Sequence, residues 1–357
     1  MKINAKQMLA DVDHSLAAAD SIAAARKAAG IYITKESKGV NDTPERILYD
    51  AGEETAEQML AAYKLKMENF DTIHLDPDGK IIRLYSEEFT ILSGRTGTGK
   101  TTLLRQIVCD LLKLNRNVFV ATLEQSPAHY LIELAATAAG VEMPTERQLQ
   151  SFLDTYGPQL KLWGMIGVAE HKKILATVRD LADAGLNYAV IDSLMMLDID
   201  SQDFEAQRKF AALLAATVRA KRVHVLLVAH PKKQMSAEQE PSTDDVCGSS
   251  NLVNLCDNAW FVRRGPEAVA DSGITQMEVH NLKARTYGHG CPGVITGCFY
   301  YRQRQFHLDA NVNDPTHYLS DAIYPATGLT DEMPAHMMSP GAFKVDRQDI
   351  KAPWDIG

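Results

Sequence analysis

Ile91-Leu92-Ser93-Gly94-Arg95-Thr96-Gly97-Thr98-Gly99-Lys100-Thr101-Thr102 is the stretch from which the rest of this chain is read. Gly94, four residues, then Gly99-Lys100-Thr101 is the spacing of a phosphate-binding Walker A loop. The glycines let the backbone curl so that successive N–H groups point at phosphates. Lys100 brings a flexible positive charge to the β- and γ-phosphates, and the Thr101 hydroxyl is a hard oxygen ligand for Mg²⁺. A helix opening at this point turns its positive end toward the anion. Phe89-Thr90-Ile91-Leu92 reads as a buried strand before the loop. After it, Leu103, Leu104, Ile107, Val108, Leu111 and Leu112 recur at helical spacing. Strand, loop and helix are the setting the motif requires. The expected ligand is ATP or another nucleoside triphosphate with Mg²⁺, held by Gly94, Arg95, Thr96, Gly97, Thr98, Gly99, Lys100, Thr101 and Thr102.

Working outward, strands and helices alternate after Phe89. Asn117 to Thr122 reads as a strand, and Ser126-Pro127 caps and opens a helix. Tyr188 to Asp192 is a strand, Phe204 to Lys221 a helix, and His224 to His230 a strand. This order predicts an α/β fold with a mostly parallel sheet and helices on both faces. Gln276 to Lys283, Val294 to Tyr301 and Gln305 to Leu308 follow as strands with no helix between them, an antiparallel edge at the C-terminal side of the sheet.

Three regions result. Residues 1–85 form a small, mainly helical N-terminal accessory region. Ala5 to Ala29 is an alanine-rich helix ending at Gly30. A second helix starts at Thr43-Pro44, breaks near Gly52 and resumes toward Lys66. A hairpin-like turn at Asp76-Pro77-Asp78-Gly79 lies between Ile73-His74-Leu75 and Ile81-Ile82-Arg83-Leu84. Residues 86–310 form the nucleotide-binding domain. Residues 311–357, rich in Asp, Pro, Met and Gly, read as a loosely ordered extension or as a partner-docking tail.

The chain has 357 residues, 45% hydrophobic and 23% charged, with a net charge of −9. That balance excludes nucleic-acid binding by the whole surface but leaves room for a local basic channel. Its cysteines, Cys109, Cys247, Cys256, Cys291 and Cys298, contain no C-x-x-C pair, so they read as buried free thiols rather than zinc ligands. The first thirty residues are interrupted by Lys2, Lys6, Asp11, Asp13 and Asp20, unlike a secretory signal, and no apolar run is long enough to span a bilayer. A reduced, cytoplasmic setting without a membrane partner is expected.

Hydrolysis needs an acid for the Mg²⁺ shell and a base to orient water. Asp192 ends an apolar strand in the Walker B arrangement and is the expected second Mg²⁺ residue beside Thr101. Ligands of a parallel sheet lie at the carboxyl ends of its strands. Glu124, just past one such strand, is therefore the candidate base, or else a helix-start carboxylate favoured by the dipole. His230 ends a third strand at the same edge, either as a γ-phosphate sensor or as a satisfied edge histidine.

This order of motifs resembles the RecA-like ATPases. In its details it is similar to the hexameric helicases of the DnaB and Twinkle class, above all to the helicase half of bacteriophage primase-helicases. The matching pieces are Leu123-Glu124-Gln125-Ser126, Val190-Ile191-Asp192, Val228-Ala229-His230-Pro231-Lys232, Asp245-Val246-Cys247-Gly248-Ser249 and Lys283-Ala284-Arg285-Thr286-Tyr287-Gly288. They span about residues 85–310. The resemblance implies a RecA-like P-loop NTPase core in a homo-oligomeric ring, most often a hexamer. Arg285 would be an arginine finger acting on the neighbour's ATP, assisted by Lys283. Arg264 and Tyr301 would sandwich the base. Residues 231–248 would face a central channel, where Lys232, Lys233 and Gly248 contact single-stranded DNA. It also implies DNA replication as the process, a primase, polymerase or loader as further partners, and the host cytoplasm if the source is viral. Against the family pattern, Cys247 stands where a basic residue is frequent, and Glu238 and Glu240 lie in the channel segment. Two other readings remain at this level. One is a RecA- or RadA-like recombination ATPase coating single strands. The other is a regulatory ATPase of the clock type, which would carry two adjacent glutamates where this chain has Glu124-Gln125.

Overall fold

The computed structural model describes residues 31–33, 47–49, 56–231, 240–246, 250–269, 273–286, 293–308, 315–316 and 318–319. The chain divides into two compact units, Met1–Phe70 and Asp71–Gly357. In the first, strands β1 (Ile31–Ile33) and β2 (Ile47–Tyr49) pair antiparallel, and helix α1 spans Ala56–Glu68. The helix expected to run on from Thr43-Pro44 is thus a strand at residues 47–49. Ile47-Leu48-Tyr49 offers β-branched and aromatic side chains to Ile31-Tyr32-Ile33, and this pairing overrides the local helix-start signal. The helix expected over Ala5 to Ala29 lies outside the described residues.

The second unit is built on β3 (Phe89–Gly94), α2 (Lys100–Lys113), β4 (Val118–Thr122), α3 (Pro127–Ala139), α4 (Glu146–Tyr156), β5 (Leu160–Leu162), α5 (His171–Asp183), β6 (Tyr188–Asp192), α6 (Phe204–Lys221), β7 (His224–Val228), α7 (Ser250–Leu255), β8 (Asn258–Val269), β9 (Ile274–Ala284), β10 (Gly293–Tyr300) and β11 (Gln305–His307). Among the described residues these form a nine-stranded sheet in the order β11-β10-β9-β8-β3-β7-β6-β4-β5. The pairs from β5 to β8 are parallel, and β8-β9, β9-β10 and β10-β11 are antiparallel. A mostly parallel sheet with an antiparallel edge is the expected fold.

Side chains alternate between two cores, as the pleat requires. Val118, Val120, Tyr188, Val190, Leu226 and Val228 pack with α2, α3 and α4 on one face. Phe119, Ala121, Ala189, Ile191, Val225 and Leu227 pack with α5 and α6 on the other. With both faces covered, the parallel strands read as continuous apolar runs. Helix α3 starts at Ser126, whose side chain accepts from His129 N, with Pro127 at its first position. Helix α4, which had no expectation from periodicity, is stapled by a capping box between Thr145 and Gln148.

Two boundaries differ from expectation. Ile73, Leu75, Ile82 and Leu84 are at most 3% exposed and belong to the α2-side core. The core unit therefore starts near Asp71 instead of at 86. The turn between them is closed by Asp76, whose carboxylate accepts from the backbone N–H groups of Lys80, Ile81 and Ile82. Isolated bridges, Asp71 to Leu84 and Ile73 to Asp76, replace the hairpin strands. At the other end, Tyr318 and Leu319 are buried in the same core, so the packed unit extends past 310. Of the cysteines, Cys109 and Cys256 are buried free thiols, whereas Cys298 is only partly buried; Cys247 and Cys291 lie outside the described residues. Among the described residues no helix is long and apolar enough to cross a membrane.

His224, at the start of β7, is fully buried. Its Nδ1–H donates to Tyr85 O at 2.7 Å, which leaves Nε2 to accept from Thr90 Oγ1 at 3.0 Å. Burial pushes its pKa from 6.5 down to about 4. The unfolded chain therefore takes up this proton first, and stability falls as pH drops from 6.5 toward 4. The loss from this group is about 2 kcal/mol by pH 5. His224→Gln can keep one donor and one acceptor without titrating. Its melting temperature is expected to fall less than wild type between pH 7 and pH 5; parallel curves would remove His224 from the acid response.

Candidate functional site

Four strands deliver the site to one sheet edge. β3 ends at Gly94, β4 runs through Leu123 to Glu124, β6 ends at Asp192, and β7 runs through Ala229 to His230. Their carboxyl ends open into a cavity of about 340 Å³. Thr96, Gly97, Thr98, Gly99, Lys100, Thr101 and Thr102 line it together with Glu124, Asp192 and His230. Gly94 and Arg95 lie behind the loop instead. Gly94 has φ 149°, and a Cβ there would collide with the Val262 carbonyl oxygen, so glycine is required by the fit against β8. The Arg95 side chain is exposed, and it is the residue's backbone carbonyl that serves the loop.

Lys100 Nζ donates to Gly94 O at 2.6 Å and to Arg95 O at 2.9 Å, which holds the ammonium over the curled loop. Burial lowers its pKa, opposed by the charges of Asp192 and Glu124. Thr101 Oγ1 donates to Asp192 Oδ2 at 3.1 Å. Asp192 is 9% exposed. Burial and the charge of Glu124 raise its pKa to about 6, against the Thr101 hydrogen bond and the charges of Lys100 and Arg105. A hydroxyl and a desolvated carboxylate side by side are a donor set that fits Mg²⁺, which takes one or two protein oxygens and fills its shell with water and phosphate. Among the described residues no group of three or more His, Cys, Asp or Glu could enclose a metal by itself. Thr101 and Asp192 would hold the ion, and bound there it would neutralise charge on the β- and γ-phosphates.

Ser193 carries no expectation from the sequence. Its Oγ donates to Glu124 Oε1 at 2.7 Å and so orients the candidate base. The available signal is its position directly after the Walker B aspartate. His230 Nε2 lies 4.0 Å from Glu124 Oε1. Burial and the nearby Lys100 lower its pKa, with Glu124 opposing, so the imidazole is neutral at pH 7 and has both a donor and an acceptor nitrogen to offer.

The far wall comes from the antiparallel edge. Arg264 of β8 and Tyr301, just past β10, line the cavity together, as expected. Phe299, Thr275, Met277 and Phe306 complete that wall. The rings of Phe299 and Tyr301 meet edge-on at 4.9 Å, and Thr275 Oγ1 donates to the Tyr301 hydroxyl at 3.2 Å.

Arg285 and Lys283 lie elsewhere. Arg285 N donates to Asp257 O, and Asp257 N donates to Phe89 O, so both basic residues sit beside the beginning of β3. The P-loop is at its end, about 17 Å along a six-residue strand. Arg285 Nη2 donates to Asn254 O at 2.6 Å, and Nη1 lies 3.6 Å from Asp257 Oδ1. Lys283 Nζ donates to the carbonyls of Val253, Asn254 and Cys256. It caps the C-terminus of α7, where a cation meets the negative end of the helix. Lys232, Lys233 and Gly248 lie outside the described residues, as does Glu238. Glu240 is described and is paired with Arg263 at 2.7 Å.

A curled P-loop, a Walker B aspartate and a glutamate at the carboxyl edge of this sheet define the chain's class, a RecA-like P-loop NTPase. The AAA domain family matches residues 43–236, more than half of the chain, and the chain belongs to that family. No curated protein matches it. Among solved structures it is similar to an ATPase domain determined on its own, with 18% identity and a TM-score of 0.58 over 71% of this chain and 98% of that one. A DnaB-like replicative helicase, solved with its interactions with primase, also matches, with 18% identity and a TM-score of 0.58 over 71% of this chain and 68% of that one.

Proposed function

We propose that the chain is an ATP-driven, ring-forming replicative DNA helicase that translocates on single-stranded DNA and hydrolyses ATP at the interfaces between its subunits. The observation that carries this reading is the separation of Arg285 from its own P-loop. The cavity gathers a phosphate loop, a magnesium pair, a base with its orienting serine, and a neutral histidine. Among the described residues its lining holds one arginine, Arg264, on the base side. A finger that neutralises charge on the transferred phosphoryl group therefore has to come from a second copy of the chain. The likeness in fold to a DnaB-like replicative helicase supports the same reading.

The roles then follow from position. Lys100 and the loop amides hold the phosphates. Thr101 and Asp192 take Mg²⁺. Glu124, held by Ser193, draws the proton from the attacking water. His230 contacts the γ-phosphate and passes its loss to the segment that follows, where Lys232, Lys233 and Gly248 contact the DNA backbone. Arg264 and Tyr301 sandwich the base. Lys283 assists Arg285 indirectly, by fixing the α7 carbonyl that Arg285 also grips. Single-stranded DNA bound this way is sequence-tolerant and salt-sensitive. A cytoplasmic site of action and a primase, polymerase or loader as partner accord with such a role.

Strand separation on a forked duplex tests the reading. ATP-dependent unwinding is expected. ATP hydrolysis without unwinding, under conditions where the chain forms rings on DNA, would return it to the recombination or regulatory ATPases.

A further inference from the structure

The base-side wall of the cavity is tied to the P-loop helix by a buried polar relay that takes no part in the chemistry described above. Phe306 lines the cavity, and its ring lies 3.3 Å from where a Cβ on Gly99 would sit. From behind, its backbone is gripped by Gln106 of α2, a fully buried residue. Phe306 N donates to Gln106 Oε1 at 2.6 Å, and Gln106 Nε2 donates back to Phe306 O at 3.1 Å.

His74 reaches the same carbonyl. Its Nε2 lies 2.7 Å from Phe306 O, and its Nδ1 lies 2.9 Å from Asp110 Oδ2. A carbonyl and a carboxylate only accept, so the ring carries both protons and a charge matched by Asp110. Burial opposes that charge, but Asp110 and the two hydrogen bonds outweigh it, and the pKa of His74 is raised. The 2.8 Å approach of Gln106 Nε2 to His74 Nε2 is then two donors converging on one carbonyl.

The relay continues into the C-terminal segment. Tyr318 OH donates to Asp110 Oδ1 at 2.7 Å, and Tyr318 O accepts from Tyr156 OH. Thr316 N and O exchange hydrogen bonds with the side chain of Gln305, the neighbour of Phe306. A continuous path therefore runs from the segment around Tyr318 through Asp110, His74 and Gln106 to the ring that abuts the P-loop.

We propose that Gln106, His74 and Tyr318 are positioning residues that set the base-side wall against the P-loop, so that docking of the Tyr318 segment controls the affinity for nucleotide. The proposal rests on the reading that the base lies between Arg264 and Tyr301. The relay holds the wall and touches neither Glu124 nor Asp192. Its loss therefore weakens binding of a ligand with a base and leaves the rate at saturation alone.

The test uses the full chain with Gln106→Met, which keeps the volume and removes both backbone bonds, and Tyr318→Phe, which removes one hydroxyl. The ATP KM is expected to rise about fivefold in the first and about twofold in the second, with kcat unchanged. Tripolyphosphate, which has no base, should inhibit wild type and variants with the same constant. An unshifted ATP KM, or an equal weakening of ATP and tripolyphosphate, overturns the relay. If Gln106→Met does not fold, Tyr318→Phe decides alone. Absence of ATP turnover in the wild-type chain overturns the nucleotide reading and the relay with it; wild-type turnover with unshifted variants overturns only the relay.

Discussion

Lys100→Ala is expected to lower kcat/KM for ATP by roughly a thousandfold or more. The ammonium is placed over the loop by the carbonyls of Gly94 and Arg95. It is also the buried cation nearest the carboxylates of Asp192 and Glu124, which raise its pKa against burial. Alanine removes the charge that faces the phosphates and leaves the Asp192 and Glu124 pair without its counter-ion. Binding of a fluorescent ATP analogue and steady-state turnover both report the effect. Wild-type turnover in this variant would remove the Walker A reading, and every role built on it would fall.

Glu124→Gln is expected to separate binding from hydrolysis. An amide keeps the shape and can still accept from Ser193 Oγ, which now donates to Glu124 Oε1 at 2.7 Å. It cannot take a proton from water. Turnover should fall by roughly a hundredfold to ten-thousandfold, while the dissociation constant for ATP stays near wild type. Retained turnover would assign the base to another residue. His230, neutral and 4.0 Å away, would then be the first alternative.

These residues were legible in the sequence because each depends on a short stretch of chain. The Walker A loop is one contiguous motif, and Asp192, Glu124 and His230 each follow directly on an apolar strand. The parallel strands were visible for the same reason: buried on both faces, Val118 to Thr122 and His224 to Val228 read as unbroken apolar runs. The base-side wall was legible only by resemblance, through Arg264 and Tyr301. Phe299, Met277 and Phe306 join it through the pairing of β8 to β11, which local periodicity does not encode.

The two misplaced boundaries have a related cause. Ile73, Leu75, Ile82 and Leu84 look like a local hairpin around Asp76-Pro77-Asp78-Gly79, yet they are buried against α2. Tyr318 stands in a polar stretch without periodicity, and its burial depends on Asp110 and Tyr156, far back in the chain. The strand at Ile47–Tyr49 defeated a correct helix-start signal because pairing with Ile31–Ile33 outweighs one proline at a first position.

The central claim is that each ATP is hydrolysed between two copies of the chain, with Arg285 supplied from outside the cavity. Mixing wild-type chain with Arg285→Ala in varying ratio, and following unwinding of a forked duplex at constant total protein, tests it most directly. A finger of this kind contributes roughly a thousandfold or more to the rate. The account predicts that the variant poisons mixed assemblies, so that activity falls faster than the wild-type fraction. A decline strictly proportional to that fraction, with mixed assemblies shown to form, would contradict action in trans.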